Sequence, residues 1–153
     1  MLQRILVAVV GIPLLLFVLI IAPDWATAAL LCALCAVGAH ELLAAACSKD
    51  ITRRWWGLSA IMGVTVVLRT YLAGIGEDGA AALMTWLLAA WLVLLFVSVV
   101  VEYGTARALA FRDVCTILAA GVAIPMAFQC LMALRLLEHG GGLVMIPLVA
   151  AFC

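Results

Sequence analysis

Apolar residues fall in long runs separated by short polar knots. The runs cover 5–22, 25–46, 55–74, 80–101, 114–134 and 143–153. A helix needs ~20 apolar residues to cross a hydrocarbon layer ~30 Å thick, and the first five runs have about that length. The sixth, LVMIPLVAAFC, is about half as long, and nothing polar follows it. The pattern predicts an all-α, polytopic integral membrane helical bundle with five full transmembrane helices and an incomplete sixth. Two readings of the last run stay open. Either it is re-entrant, or the chain continues beyond Cys153 and these residues are the N-terminal part of a longer protein.

The polar knots sort the spans. Gly11 and Pro13 lie inside the first run, where neighbouring helices tolerate a kink. Pro23-Asp24 makes a tight connection, and Trp25 takes an interfacial position. In the second run Ala29, Ala33, Ala36 and His40 recur at helical spacing, predicting a small-residue face that packs closely on another helix. Cys47–Arg54 is the most polar stretch and reads as a loop, with Trp55 and Trp56 opening the third span. Arg69 and Tyr71 close that span, with Glu77 and Asp78 in the following loop Ile75–Gly79. The fourth run is the most uniformly apolar, and Tyr103 follows it. Glu102, Arg107, Arg112 and Asp113 form the next loop. Gly121 and Pro125 predict a kink in the fifth span. Arg135, Glu138, His139 and Gly140–Gly142 lead into the last run.

Composition agrees with the pattern. Apolar residues make up 70% of the chain and charged residues 10%, against about 25% charged in soluble domains. Mean hydropathy is +1.38. Net charge is zero, which argues against nucleic acid as a partner. Basic residues set orientation. With a cytoplasmic N-terminus, that side holds Arg4, Lys49, Arg53, Arg54, Arg107 and Arg112, and the far side holds Arg69 and Arg135. The sixth run then heads inward. Ile5–Ala22 with Ala26-Thr27-Ala28 imitates a signal peptide, but the apolar core exceeds the ~7–15 residues of such segments, so it reads as a retained helix. Cys32-x-x-Cys35 has redox or zinc spacing but only apolar neighbours, so it reads as small packing residues.

Few residues offer chemistry. His40 and Glu41, near the cytoplasmic end of the second span, are the best isolated candidates, because an ionisable residue inside a membrane is costly. The bland alternative is a packed His and a Glu reaching the interface toward Lys49 or Arg53. Arg53 and Arg54 beside the paired tryptophans suit anionic lipid headgroups, and equally serve as topology determinants. Arg69 either faces Glu77 and Asp78 or snorkels. The sequence holds no phosphate loop, nucleophile elbow or carboxylate cluster with metal-ligand spacing.

Gln3-Arg4-Ile5 followed by Gly11-Ile12-Pro13-Leu14 resembles the opening of phosphatidate cytidylyltransferases (CDP-diacylglycerol synthases). His40-Glu41-Leu42-Leu43 resembles the acidic motif closing that family's second helix. Gly140-Gly141-Gly142-Leu143 through Phe152-Cys153 is similar to the helix entering its catalytic half, where a motif reading Asp-Thr-Gly/Ala-Ala-Tyr would come next. The resemblance implies transfer of a cytidylyl group from CTP to phosphatidic acid, with Mg²⁺, at a cytoplasm-facing site. It also implies a dimer of multi-pass subunits in a cell membrane, the bacterial inner membrane. The family's catalytic motifs and Mg²⁺ ligands have no counterpart in these 153 residues, so no catalytic residue carries over. The chain is then expected to be a truncated, inactive N-terminal membrane half providing scaffold and lipid path. The alternative is a small non-catalytic membrane subunit or a transporter fragment.

Overall fold

The computed structural model describes residues 15, 17–105, 108–137, 140–144, 146, 147 and 150. Four long helices dominate: α1 (Asp24–Ala46), α2 (Lys49–Gly74), α3 (Asp78–Val101) and α4 (Phe111–Arg135). A short helix α5 (Gly140–Leu143) follows, and no strand occurs among the described residues. All four long helices are long and apolar enough to cross a bilayer. They correspond to the second to fifth predicted spans. Most of the first span lies outside the described residues, with Gly11, Pro13 and the Gln3-Arg4-Ile5 pattern; residues 17–20 are helical. Arg107, Glu138, His139 and the end of the sixth run also lie outside them.

The loop expected over Cys47–Arg54 is mostly helix, a correction to the sequence reading. Ser48 is the extended residue before α2, and Lys49 already belongs to its first turn. Asp50 in that turn sits where a carboxylate complements the helix dipole. The true connection is therefore only Cys47-Ser48. The Thr52 hydroxyl fastens it, lying 2.9 Å from the Leu43 carbonyl and 3.0 Å from that of Ser48. At its other end α2 stops in a Schellman turn. Glu77 N–H donates to Leu72 O, Gly76 N–H donates to Ala73 O, and Gly76 takes φ +86°. Only a residue without Cβ adopts that conformation at no steric cost.

The face of α1 that packs inward also differs from expectation. Ala28, Leu31, Cys35, Ala39 and Leu43 are buried, while Ala29, Ala33 and His40 are exposed. Alanine is so frequent in this helix that two neighbouring faces both look small. The larger side chains of Leu31 and Leu43 decide which one turns inward, since they remove more apolar surface from contact with solvent. Cys35, from the CxxC pair, packs in this interior as a free thiol.

The core is organised in two clusters. At one end Ala39, Leu43, Trp55, Met62, Trp91, Leu95, Ile117 and Ala120 meet. At the other, Ala28, Leu31, Cys35, Val67 and Met132 meet. Trp55 is 2% exposed and Trp56 43%, so the two tryptophans expected to open the third span are split between core and surface. Between the clusters three helices touch at Gly63. A Cβ there would stand 3.0 Å from Pro125 Cγ and 3.1 Å from Cys35 Cβ.

The irregularity expected around Gly121 and Pro125 takes the form of a π turn, Ala119–Ala123, inside α4. Proline lacks the N–H that would bond four residues back, and its ring crowds that carbonyl. One wider turn relieves both problems without ending the helix. Gly121 in that turn also admits Trp91, whose ring edge would stand 2.9 Å from an added Cβ.

α3 is attached by a narrow stripe. Ala81, Trp91 and Leu95 are buried, with Leu88 partly buried between them. Most of its other large side chains face outward, Trp86 at 75% and Val100 at 73% exposure.

The Gly63 contact yields a test. Gly63→Leu overpacks the three-helix crossing and is expected to cost about 1–3 kcal/mol, read as a lower unfolding midpoint in detergent. Gly38→Ala, with open space around its position, is expected to shift stability by no more than about 1 kcal/mol.

Candidate functional site

The helices alternate in direction, so polar residues collect at two ends. One end carries the α1–α2 connection, the end of α3 and the start of α4. Lys49, Arg53, Arg54 and Arg112 lie there. The other end carries Asp24, Arg69, Asp78 and Arg135.

At the second end Arg135 closes the bundle. Its Nη2 donates to Ala22 O at 2.7 Å, its Nη1 lies 3.5 Å from Ile20 O, and its Nε is 3.3 Å from Asp24 Oδ1. The guanidinium thus satisfies carbonyls left open where the chain turns into α1. Arg69 makes no ion pair with Glu77 or Asp78 among the described residues, which leaves the snorkelling reading. Arg135 was missed in the sequence; the signal available was a lone Arg at the end of one span and Asp24 beside a Pro at the start of another.

Two clefts open at the first end, and α2 separates them. One, of about 460 Å³, is lined by Ser48, Asp50, Ile51, Arg54, Trp55, Ala108 and Leu109. Arg54 is committed there. It forms a forked ion pair with Glu102, with Nη1–Oε2 at 2.9 Å and Nη2 on Oε1, and its guanidinium lies 5.7 Å from the Trp55 ring centre. The fork ties the start of α2 to the end of α3 and neutralises the cation. Such exposed pairs add at most about 1 kcal/mol, so the role is positional.

The other cleft, of about 480 Å³, lies between the end of α1 and the start of α2. His40, Ala44 and Cys47 line it from α1 and the turn, and Lys49, Thr52, Arg53 and Trp56 from α2. Trp56 donates its indole N–H to Ala36 O at 3.3 Å, and the His40 ring meets it edge-on with centroids 5.6 Å apart. Lys49 and Arg53 make no ion pair or hydrogen bond through their side chains among the described residues. Glu41 is exposed and pairs with neither, contrary to the partnership considered from sequence.

Of the four residues singled out in the sequence, the structure therefore brings His40 and Arg53 into one cleft. Arg54 falls in the neighbouring cleft and Glu41 in neither. Lys49 and Trp56 complete the first cleft and were missed as site residues. They follow the helical i, i+4, i+7 spacing with Arg53, a signal hidden while 47–54 was read as a loop.

Cys47 adds a titratable group at the mouth of this cleft. Burial pushes its thiol above the ordinary range, and the nearby Asp113 carboxylate pushes it further, against a smaller lowering from Thr116. Asp113 is buried at the first turn of α4, where it accepts the Ala110 N–H at 3.3 Å and lies 3.9 Å from Arg112. Among the described residues no three His, Cys, Asp or Glu side chains gather to hold a metal ion.

The sequence model of the cytidylyltransferase family matches residues 2–153. No curated protein and no solved structure matches the chain.

The Cys47 environment predicts an alkaline labelling profile. Thiolate is the reactive form, and a raised pKa means that alkylation climbs only above the ordinary thiol range of about 8.5. In a variant whose other cysteines are replaced, Asp113→Asn should move the rate–pH curve toward lower pH. An unmoved curve would show that Asp113 does not act on the thiol.

Proposed function

The chain belongs to the cytidylyltransferase family, and from that premise we propose that it serves in the transfer of a cytidylyl group from CTP to phosphatidic acid. A phosphate oxygen of the lipid attacks the α-phosphorus of CTP. The new P–O–P bond gives CDP-diacylglycerol, and the broken bond releases pyrophosphate. The observation that carries the choice of acceptor is the surface of α3. Leu83, Trp86, Val93, Phe96, Val97 and Val100 all face outward, and a contiguous apolar side of this size calls for hydrocarbon around it. A transferase set in hydrocarbon meets its phosphate acceptor as a lipid.

Within this activity the described helices act as scaffold and lipid path, and the 153-residue chain by itself catalyses no transfer. The nucleotide and its divalent cation are held by groups other than those described. Homodimerisation follows the family pattern. The end rich in Lys49, Arg53, Arg54 and Arg112 faces the cytoplasm, in line with the inward bias of basic residues, and the protein is a multi-pass component of a cell membrane.

Activity is tested with labelled CTP, Mg²⁺ and phosphatidic acid in mixed micelles. Protein expressed from the whole reading frame should form CDP-diacylglycerol, and purified 1–153 should not. Product from 1–153 would overturn the scaffold role. Use of CTP without labelling of phosphatidic acid would overturn the acceptor. A reading frame that ends at Cys153 and yields no product would favour a non-catalytic subunit.

Topology is tested by cysteine labelling in intact cells. Ser48→Cys should be shielded from an impermeant reagent, and Gly79→Cys should react. Gly79 is exposed with open space around it, so a cysteine fits there. The reverse pattern would invert the orientation.

A further inference from the structure

We infer that the cleft between the end of α1 and the start of α2 is a binding site for the headgroup and upper chain of one anionic glycerophospholipid. Its volume of about 480 Å³ falls in the range of about 300–1,000 Å³ typical of ligand pockets. Lys49 and Arg53 stand one turn apart on α2, so both point from the same side of the helix. Neither has a carboxylate partner among the described residues. The nearby acids are engaged or turned elsewhere. Glu102 holds Arg54, Asp113 caps α4, Asp50 lines the other cleft, and Glu41 is exposed outside this one. Asp113 reaches this wall only from behind, through the Cys47 thiol and beside Arg112, so the charges that line the cleft itself are those of Lys49 and Arg53.

The remaining walls are apolar. Trp56 and His40 present rings set edge to face, and Trp56 has already donated its N–H to Ala36 O, so its ring rather than its donor meets the cleft. Lys49 and Trp56 are seven positions apart on α2, about 10 Å along the axis at ~1.5 Å per residue. The cations lie at the outer end of that interval and the rings at the inner end. An anionic phosphate between Lys49 and Arg53, with its glycerol esters beside Trp56, matches this order; tryptophan favours that depth. A neutral or zwitterionic lipid leaves net positive charge uncompensated, and a free phosphate leaves the rings uncovered.

The inference does not rest on the transferase reading, and its test contains no CTP. The detergent-solubilised 153-residue chain is delipidated and offered equal amounts of dioleoyl phosphatidic acid and dioleoyl phosphatidylcholine, and bound lipid is counted by native mass spectrometry. The expected result is one phosphatidic acid per chain, in clear preference to phosphatidylcholine. Lys49→Gln/Arg53→Gln should lower its retention about 30-fold, from about fivefold per basic residue at a membrane surface. Ala44→Trp fills the cleft while leaving both cations, and should also block retention; it stands as the deciding variant if the double substitution fails to fold. Arg112→Gln, at the same end but outside the cleft, should leave retention unchanged.

Equal retention of the two lipids would overturn the site, as would an Arg112→Gln effect as large as that of the double variant, which marks diffuse surface attraction. Displacement of the lipid by millimolar glycerol 3-phosphate would show a free-phosphate site instead. A lipid-free protein dimer disrupted by Ala44→Trp would assign the cleft to a second copy of the chain and overturn it too.

Discussion

The bundle depends on backbone approach at Gly63. There α1, α2 and α4 come together with Cys35 and Pro125 closer than ordinary van der Waals contact to where a side chain would begin. Because neither cluster of core side chains spans the whole length of the helices, this crossing sets how the two clusters align. Pro125 contributes twice: its ring fills the space that glycine leaves, and its missing N–H is what the π turn accommodates. The same widened turn opens Gly121 to Trp91 and so seats α3. One proline and two glycines thereby settle the placement of all four long helices.

This arrangement has a polar cost. Trp55 Nε1, Ser59 Oγ and Trp91 Nε1 are buried without hydrogen-bond partners among the described residues. Each such group costs about 1–3 kcal/mol relative to a bonded one. The three cluster where ring volume is needed to fill the space beside the π turn, and shape complementarity prevails over satisfaction of the donors.

The second to fifth helices were legible as apolar runs of the right length, because hydropathy reports existence and extent. It reports facing only when the faces differ. α3 is apolar all round, so its stripe of Ala81, Leu88, Trp91 and Leu95 carries no sequence signature. In α1 the abundance of alanine made the wrong face look like the packing face. Adjacent Trp55 and Trp56 read together as the opening of the third span, yet neighbours on a helix point ~100° apart, and one had to enter the core. The candidate cleft was half visible for a related reason. A charged stretch before an apolar run looks like a loop, and reading it as the first turns of α2 is what places Lys49, Arg53 and Trp56 together.

Arg135 gives the molecule an order in time. Its guanidinium grips the carbonyls of Ile20 and Ala22, over a hundred positions earlier in the chain. At a synthesis rate of about 5–20 residues per second, the two sides of that grip leave the ribosome roughly 6–23 s apart. Throughout that interval the entrance to α1 must wait with its carbonyls unclaimed. The bundle can gather helix by helix as it is made, but this seam closes only once α4 is complete.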